Sequence, residues 1–356
     1  MQEMIDGDPD KRRIWAKVIA SRSEVGIPYV LFRDNANKGR PQVYKDEELE
    51  VVASNLCSEI MLPSDGLNSF VCCLSSMNLA KYHEFKETDA VETLTYFLDA
   101  VMSEFIEKGK RIPHMDRAVR FAENHRALGL GALGWHTLLQ ESMIPFEGLE
   151  AQYLNNEVFK FISEHAKMAS ETMAVEYGEA PLMKGYGRRN TTLMAIAPTT
   201  SSSTILGQVS QSILPLKSNF FVKDLAKLKY TFRNPTLKRL LKEKGQDTDE
   251  VWRSILEQNG SVQHLPFLTD REKNVFRTFA EISQTDIIQQ AAQRQNYIDQ
   301  GQSLNLMIHP DTPAKDINTL MITAWQLGIK SLYYSHSMNA AQEFYRSLTH
   351  CTSCEG

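Results

Sequence analysis

The chain is predicted to fold as an α/β protein on two observations. Short apolar runs of strand length recur along it, and segments with the apolar spacing of an amphipathic helix lie between them. No internal repeat or proline-rich linker divides the sequence. With 356 residues, 42% of them hydrophobic, and only 18 Gly and 13 Pro, there is enough apolar material for a sizeable core.

The first strand signal is Ile27-Pro28-Tyr29-Val30-Leu31-Phe32, an aromatic and β-branched run that the turn-forming residues Asp34 to Gly39 should close. From Val91 the apolar positions Val91, Leu94, Leu98, Val101 and Phe105 recur at three and four, which predicts a helix ended by Gly109. Helices are also predicted over about 116–142, where glycines among Ala and Leu suggest packing through small residues, and over about 150–177. Thr192 to Pro198 is a short apolar run that empties into six hydroxyl residues, Thr199 to Thr204. A polar stretch over about 222–275 is expected as a helical insertion. Ser303 to Ile308 reads as a further strand. Thr312 should cap a helix with Pro313 in its first turn, Ile317, Leu320, Met321 and Ala324 as its buried stripe and Gly328 at its end. Ser331 to Tyr334 returns as a strand. The folded body is expected over 1–344 and a flexible tail over 345–356.

Composition excludes several classes. A formal charge of -5 leaves no basic stripe of the kind that nucleic-acid binding needs. The N-terminus lacks the apolar core of a signal peptide, and no run approaches the ~18 apolar residues of a membrane span. A cytoplasmic location is expected, where thiols stay reduced unless a catalytic cycle oxidises them.

The five cysteines fall into three groups: Cys57 alone, Cys72 beside Cys73, and Cys351 with Cys354 near the end of the chain. In Asn55-Leu56-Cys57-Ser58-Glu59-Ile60 an amide, a thiol and a carboxylate alternate, so an extended backbone would point all three to one side. Taken alone, those residues favour a plainer reading, with Cys57 a small buried hydrophobe and its neighbours on a solvated loop. A metal site is a poor account of the other four thiols, because an adjacent Cys-Cys does not make the paired hooks of a zinc ribbon. Tyr333 and Tyr334 alone read as a β-prone pair, and Thr199 to Thr204 as a polar loop or helix cap.

Taken together, six segments in order carry a family resemblance. They are Pro28-Tyr29-Val30-Leu31-Phe32-Arg33-Asp34-Asn35, the segment Asn55 to Ile60, Cys72-Cys73-Leu74-Ser75-Ser76-Met77-Asn78-Leu79, Ala197-Pro198-Thr199 with its serines, Asp299 to Asn305, and Leu332-Tyr333-Tyr334. The sequence resembles the large catalytic subunit of an aerobic class I ribonucleotide reductase. The resemblance implies the second half of a ten-stranded α/β barrel, with a finger loop carrying the radical cysteine. It implies reduction of ribonucleoside diphosphates by thiyl-radical chemistry. Cys57 would remove the 3′ hydrogen of the ribose, Glu59 would be the general base for the 3′ hydroxyl, and Asn55 would hold that hydroxyl by its amide. Cys72 would supply reducing equivalents. Neighbouring strand residues face opposite ways, so Cys73 is expected to be structural. Tyr333, next to Cys57, and Tyr334, toward a partner, would relay the radical. Thr200, Ser201 and Ser202 would bind the substrate phosphates at a helix start, and Cys351 with Cys354 would pass electrons to the site by thiol exchange.

The resemblance also implies partners. No metal or cofactor is expected on this chain; the radical would come from a di-metal small subunit and the electrons from thioredoxin or glutaredoxin. An N-terminal regulatory domain, the first half of the barrel and a cysteine to pair with Cys72 have no match here, and a Cys72–Cys73 bond would be strained. A split catalytic subunit is therefore expected, with a separate N-terminal half completing the barrel. A non-catalytic binding or regulatory remnant of such a reductase is the alternative. A glycyl-radical or cobalamin-dependent relative would not need the paired tyrosines.

Overall fold

The computed structural model describes residues 1–225, 228–309 and 311–337. Helices and short strands alternate through it. The eight strands are β1 (Val30–Leu31), β2 (Leu74–Asn78), β3 (Gly129–Leu133), β4 (Phe220–Leu225), β5 (Leu228–Arg233), β6 (Leu306–Ile308), β7 (Ser331–Leu332) and β8 (Ser335–Ser337). β2 runs parallel to β3, β3 continues through a parallel bridge from Leu130 to Met194, and Ile196 bridges in parallel to Gln302. β6 and β8 are also parallel, whereas β1 and β7 are antiparallel. Parallel neighbours need long crossovers, which the helices between them provide. Among the described residues β2 is paired with β3 alone, so its other edge is open.

The crossover helices are those with the clearest apolar period. Ala90–Gly109 buries Val91, Leu98, Met102 and Ile106, and the 29-residue helix Leu149–Tyr177 buries Leu154, Val158, Phe159 and Ile162. They share the main core with β2, β3 and the helices Gln284–Gln295 and Ala314–Gln326. The helix Pro9–Val25 starts where sequence chemistry places it: Asp8 accepts hydrogen bonds from the backbone of Asp10 and Lys11, and Pro9 occupies the first turn.

Four expectations need correction. The predicted helix over 116–142 is two helices, Asp116–His125 and Trp135–Glu141, separated by β3. β3 is buried along its whole length, so it lacks the alternation that marks a one-sided strand. Its glycines serve close strand packing: a Cβ on Gly131 would lie 2.5 Å from the Ala195 carbonyl oxygen. Asp34 to Gly39 is not an open turn but the end of a helix, Arg33–Lys38, where Asn37 exchanges hydrogen bonds with the backbone of Val51. The stretch predicted as helical over about 222–275 opens with the β4–β5 hairpin, joined to the helices Pro235–Glu243, Asp249–Glu257 and Asp270–Val275. Those pieces surround a second core of Phe220, Leu237, Leu241, Trp252, Ile255 and Phe276. Finally, Thr312 does not cap its helix; Pro313 is the capping residue, and the helix runs Ala314–Gln326.

One buried polar knot ties the first half together. Asp99, on the helix Ala90–Gly109, accepts from Arg126 Nε and Nη2 at 2.8 Å each, from Arg189 Nε at 2.9 Å and from Asn190 Nδ2 at 2.9 Å. Burial alone would raise this carboxyl, but the two guanidinium groups overcome it and hold Asp99 below the usual carboxylate range.

Candidate functional site

The segment Asn55 to Ile60 is not extended as predicted. Asn55 Oδ1 accepts from the backbone nitrogens of Glu59 and Ile60, both at 3.1 Å, and Ser58 takes a positive φ of 67°. An asparagine amide competes well for local backbone donors, and here it closes a tight turn. The turn, rather than alternation along a strand, brings Asn55, Cys57 and Glu59 together.

The turn is fastened from the far end of the chain. Ser303 Oγ lies 2.5 Å from the Cys57 carbonyl oxygen and 3.2 Å from Glu59 Oε2. Ser331 Oγ donates to the Ser58 carbonyl at 2.6 Å, and the Gly301 backbone nitrogen donates to the Glu59 carbonyl at 2.7 Å. A Cβ on Gly301 would sit 3.1 Å from the carbonyl oxygens of both Ser58 and Glu59, so the absence of a side chain there permits the close approach. Beyond Glu59, Ile60 and Leu62 anchor the chain in a small cluster with Tyr44, Phe121 and Ala195. Ser303 and Ser331 fall within or beside segments that carry the family resemblance, but neither is given a role at the site by it.

Glu59 is only 1% exposed. Burial pushes its carboxyl above the ordinary value, although a backbone N–H, the Asn55 amide and the Ser303 hydroxyl favour the charged form. The half-buried Cys57 thiol is raised by burial and then by the Glu59 charge, against a lowering contact from Tyr333. Cys72 is open to solvent on one side, yet the protein around it pushes its thiol up to about 12, with the charges of Glu59, Cys73 and Cys57 adding to burial. The charges of Glu59 and Cys57 are thus near enough to bear on Cys72. Cys73 faces away, buried, with its sulfur 3.5 Å from the Leu98 carbonyl.

Tyr333 is 3% exposed and held by a bond from its backbone nitrogen to the Leu304 carbonyl at 2.8 Å. Burial first, and then the neighbouring Cys57 charge, push its phenol well above the ordinary value. Tyr334 is half-buried, and its backbone nitrogen donates to Asn305 Oδ1 at 3.1 Å. A third phenol, Tyr29, joins them. Its ring lies 4.4 Å from that of Tyr333 and 4.9 Å from that of Tyr334. Tyr29 lies in a predicted strand and in a segment of the family resemblance, but with no site role given to it; the signal that finds it is register. Val30 pairs with Leu332 in an antiparallel ladder, so one step outward Tyr29 stands opposite Tyr333.

Thr200, Ser201 and Ser202 open the short helix Thr200–Ile205, with Thr200 half-buried and the two serines exposed. This helix follows the bridge position Ile196, whose carbonyl accepts from the Ser303 backbone nitrogen at 2.8 Å. Ser303 thus links the hydroxyl-rich segment to the Cys57 turn. Cys351 and Cys354 lie outside the described residues. Among the described residues no group of three His, Cys, Asp or Glu is placed to hold a metal ion, and no helix is long and apolar enough to cross a membrane.

Known proteins resemble this chain in sequence and in fold. Residues 6–185 and 181–335 match the family model described as ribonucleotide reductase, barrel domain. The chain is 40% identical over 354 residues to a Frog virus 3 (isolate Goorha) protein named as a ribonucleoside-diphosphate reductase large subunit, covering 97% of this chain and 62% of that protein. It is 38% identical to the ribonucleoside-diphosphate reductase large subunit of Invertebrate iridescent virus 3, covering 96% of this chain and 56% of the relative. Among solved structures, the Actinobacillus ureae class Id ribonucleotide reductase alpha subunit superposes with a TM-score of 0.91 at 59% identity, over 95% of this chain and 63% of that one. The chain spans less than two thirds of the length of each of these relatives.

Proposed function

Since the chain belongs to the ribonucleotide reductase barrel-domain family, we propose that its site performs the radical half-reaction of ribonucleoside-diphosphate reduction. The observation that carries this reading is that one turn, clamped by Ser303 and Ser331, holds the half-buried thiol of Cys57 and the buried carboxyl of Glu59, with the buried Tyr333 two residues beyond Ser331. In this reading the Cys57 thiyl takes the 3′ hydrogen of the ribose and Glu59 takes the proton of the 3′ hydroxyl, while Asn55 positions Glu59 and the hydroxyl. The 2′ hydroxyl leaves as water. Cys72 and a second thiol then give up two hydrogens and become a disulfide, and the 3′ hydrogen returns from Cys57.

The raised thiol of Cys72 suits this role, because a neutral thiol delivers hydrogen as well as an electron, and a thiolate does not. Thr200, Ser201 and Ser202 take the substrate phosphates, and Cys351 with Cys354 renew Cys72 using thioredoxin or glutaredoxin. The second thiol is assigned to the part of the relatives' length that these residues do not span. It docks along the open edge of β2, beside which the exposed Cys72 lies. A di-metal small subunit supplies the one-electron oxidant at Tyr334.

The test is reduction of ribonucleoside diphosphates by this chain together with that remaining part and the small subunit. Deoxynucleotide formation that requires all three is expected; binding of nucleotide without reduction would favour a regulatory remnant. A subtler readout concerns Ser303. Removing its hydroxyl in Ser303→Ala takes away a hydrogen bond that favours the Glu59 carboxylate, so the carboxyl rises further. The acidic limb of the pH–rate profile should then move to higher pH. Rates on that limb should fall about tenfold, the weight of one hydrogen bond to a charged group.

A further inference from the structure

Neighbouring side chains in a regular strand point to opposite faces, yet the rings of Tyr333 and Tyr334 meet edge to face at 4.5 Å. The backbone shows how. β6 pairs with β8 in parallel, with Leu306 opposite Ser335, and the Leu306 nitrogen donates to the Tyr334 carbonyl at 3.0 Å. Carried back regularly along β6, that ladder would give the Leu304 carbonyl the N–H of Tyr334. It takes the N–H of Tyr333 instead, at 2.8 Å. An extra residue therefore stands between β7 and β8, and Tyr333 with Tyr334 forms a β-bulge.

A bulge leaves a peptide without its ladder partner, and a buried peptide must find another. Here it is the peptide that joins the two tyrosines, and side chains satisfy both of its polar groups. Its carbonyl, from Tyr333, accepts from Arg22 Nη1 at 2.9 Å, and its N–H, from Tyr334, donates to Asn305 Oδ1 at 3.1 Å. Asn305 is 8% exposed. Because a backbone N–H can only donate, the orientation of the amide is fixed, and Asn305 Nδ2 is the group 3.2 Å from His336 Nε2. The ring nitrogen therefore accepts. The imidazole so held lies nearly parallel to the Tyr334 ring, with centroids 5.8 Å apart and planes at 24°. One amide thus fixes both the backbone that carries Tyr334 and the ring that flanks it.

From this juxtaposition we propose that Asn305 is a positioning residue for the tyrosine pair, holding the bulge that turns the Tyr334 ring onto that of Tyr333. The inference rests on the reductase reading given above, in which the small subunit oxidises Tyr334. In that reading a hydrogen atom crosses from the Tyr333 O–H to the Tyr334 phenoxyl, one O–H bond breaking as the other forms. Such a step depends on how the two phenols are set, and a misplacement of about 1 Å can cost about a hundredfold. Asn305 acts on it through the backbone. Without the amide, the Tyr334 N–H would recover a partner by returning to the Leu304 carbonyl. That regular register would send its ring to the opposite face.

Variants of the assembled enzyme test this. Asn305→Leu keeps the size of the side chain and removes its polar atoms; kcat should fall about a hundredfold, as for a misplaced reacting group, with KM for the diphosphate unchanged. Tyr334→3-aminotyrosine replaces the phenol with one that is easier to oxidise and traps the radical during turnover. In its electron paramagnetic resonance signal, the splitting from the β-methylene hydrogens follows the rotation of the ring about Cα–Cβ. Adding Asn305→Leu should change that splitting, whereas Asn305→Asp, which keeps an acceptor for the Tyr334 N–H, should preserve it. An unaltered splitting in Asn305→Leu, or a kcat within about twofold of the parent enzyme, would overturn the proposal. So would an altered splitting in folded Asn305→Asp, which carries the test if Asn305→Leu does not fold. If Tyr334→3-aminotyrosine traps no radical beside an intact Asn305, the reductase reading falls and this inference falls with it.

Discussion

Replacing the thiol of Cys57 with a hydroxyl, in Cys57→Ser, is expected to abolish diphosphate reduction in the assembled enzyme while leaving the fold intact. The substitution changes one atom on a half-buried side chain whose backbone, not its sulfur, is what Ser303 holds. The turn therefore survives. The chemistry does not, because the serine O–H bond is far stronger than the S–H bond it replaces. Every 1.36 kcal/mol added to a barrier costs a factor of ten, so the loss should exceed about 10⁴-fold. The check is deoxynucleotide formation beside thermal denaturation of the same preparations. A variant that retains a tenth of the activity would remove Cys57 from the centre of the mechanism.

The parts of this protein that were legible in sequence are those decided locally. The helices Ala90–Gly109 and Leu149–Tyr177 advertise themselves by period, because each has one face in the core and one in water. β3 did not, since a strand buried on both faces has no alternation and its glycines read as helix-packing residues. The family resemblance named candidate site residues, but the geometry that joins them was not legible. The Asn55 amide captures two backbone donors and bends a segment that spacing alone would leave extended. Tyr29, Arg22, Ser303 and Ser331 act only through partners far along the chain. A charged residue on a largely polar helix, such as Arg22, gives no local sign that it points inward.

The largest effect on stability should come from Asp99→Ala. The carboxylate is almost fully buried and carries two guanidinium groups, so its removal leaves Arg126 and Arg189 facing each other without a counter-charge. Loss of one partner from a buried ion pair costs about 3–5 kcal/mol, a large fraction of a domain's net stability of about 5–15 kcal/mol. Chemical denaturation should show a midpoint lowered accordingly, and a change below about 1 kcal/mol would mean that the knot is solvated. Because the folded-state carboxyl is held below its unfolded value, the stabilisation is complete above the unfolded pKa, about 3.9. It is lost as pH falls through the lowered value. The difference between the wild-type chain and Asp99→Ala should therefore shrink in acid and stay constant near neutrality.

The fastening of the Cys57 turn also bears on when the site forms. Its clamps come from Ser303, 246 residues away from Cys57, and Ser331, 273 residues away from Ser58. Contacts of such long range close large loops and form late, after the local helices. During synthesis the reactive thiol would stay on a loosely held segment until the last described strands arrive. The protein is thus assembled with its most reactive atom unplaced, and the same event that completes β1–β7 pairing brings Cys57, Tyr333 and Tyr29 into register together.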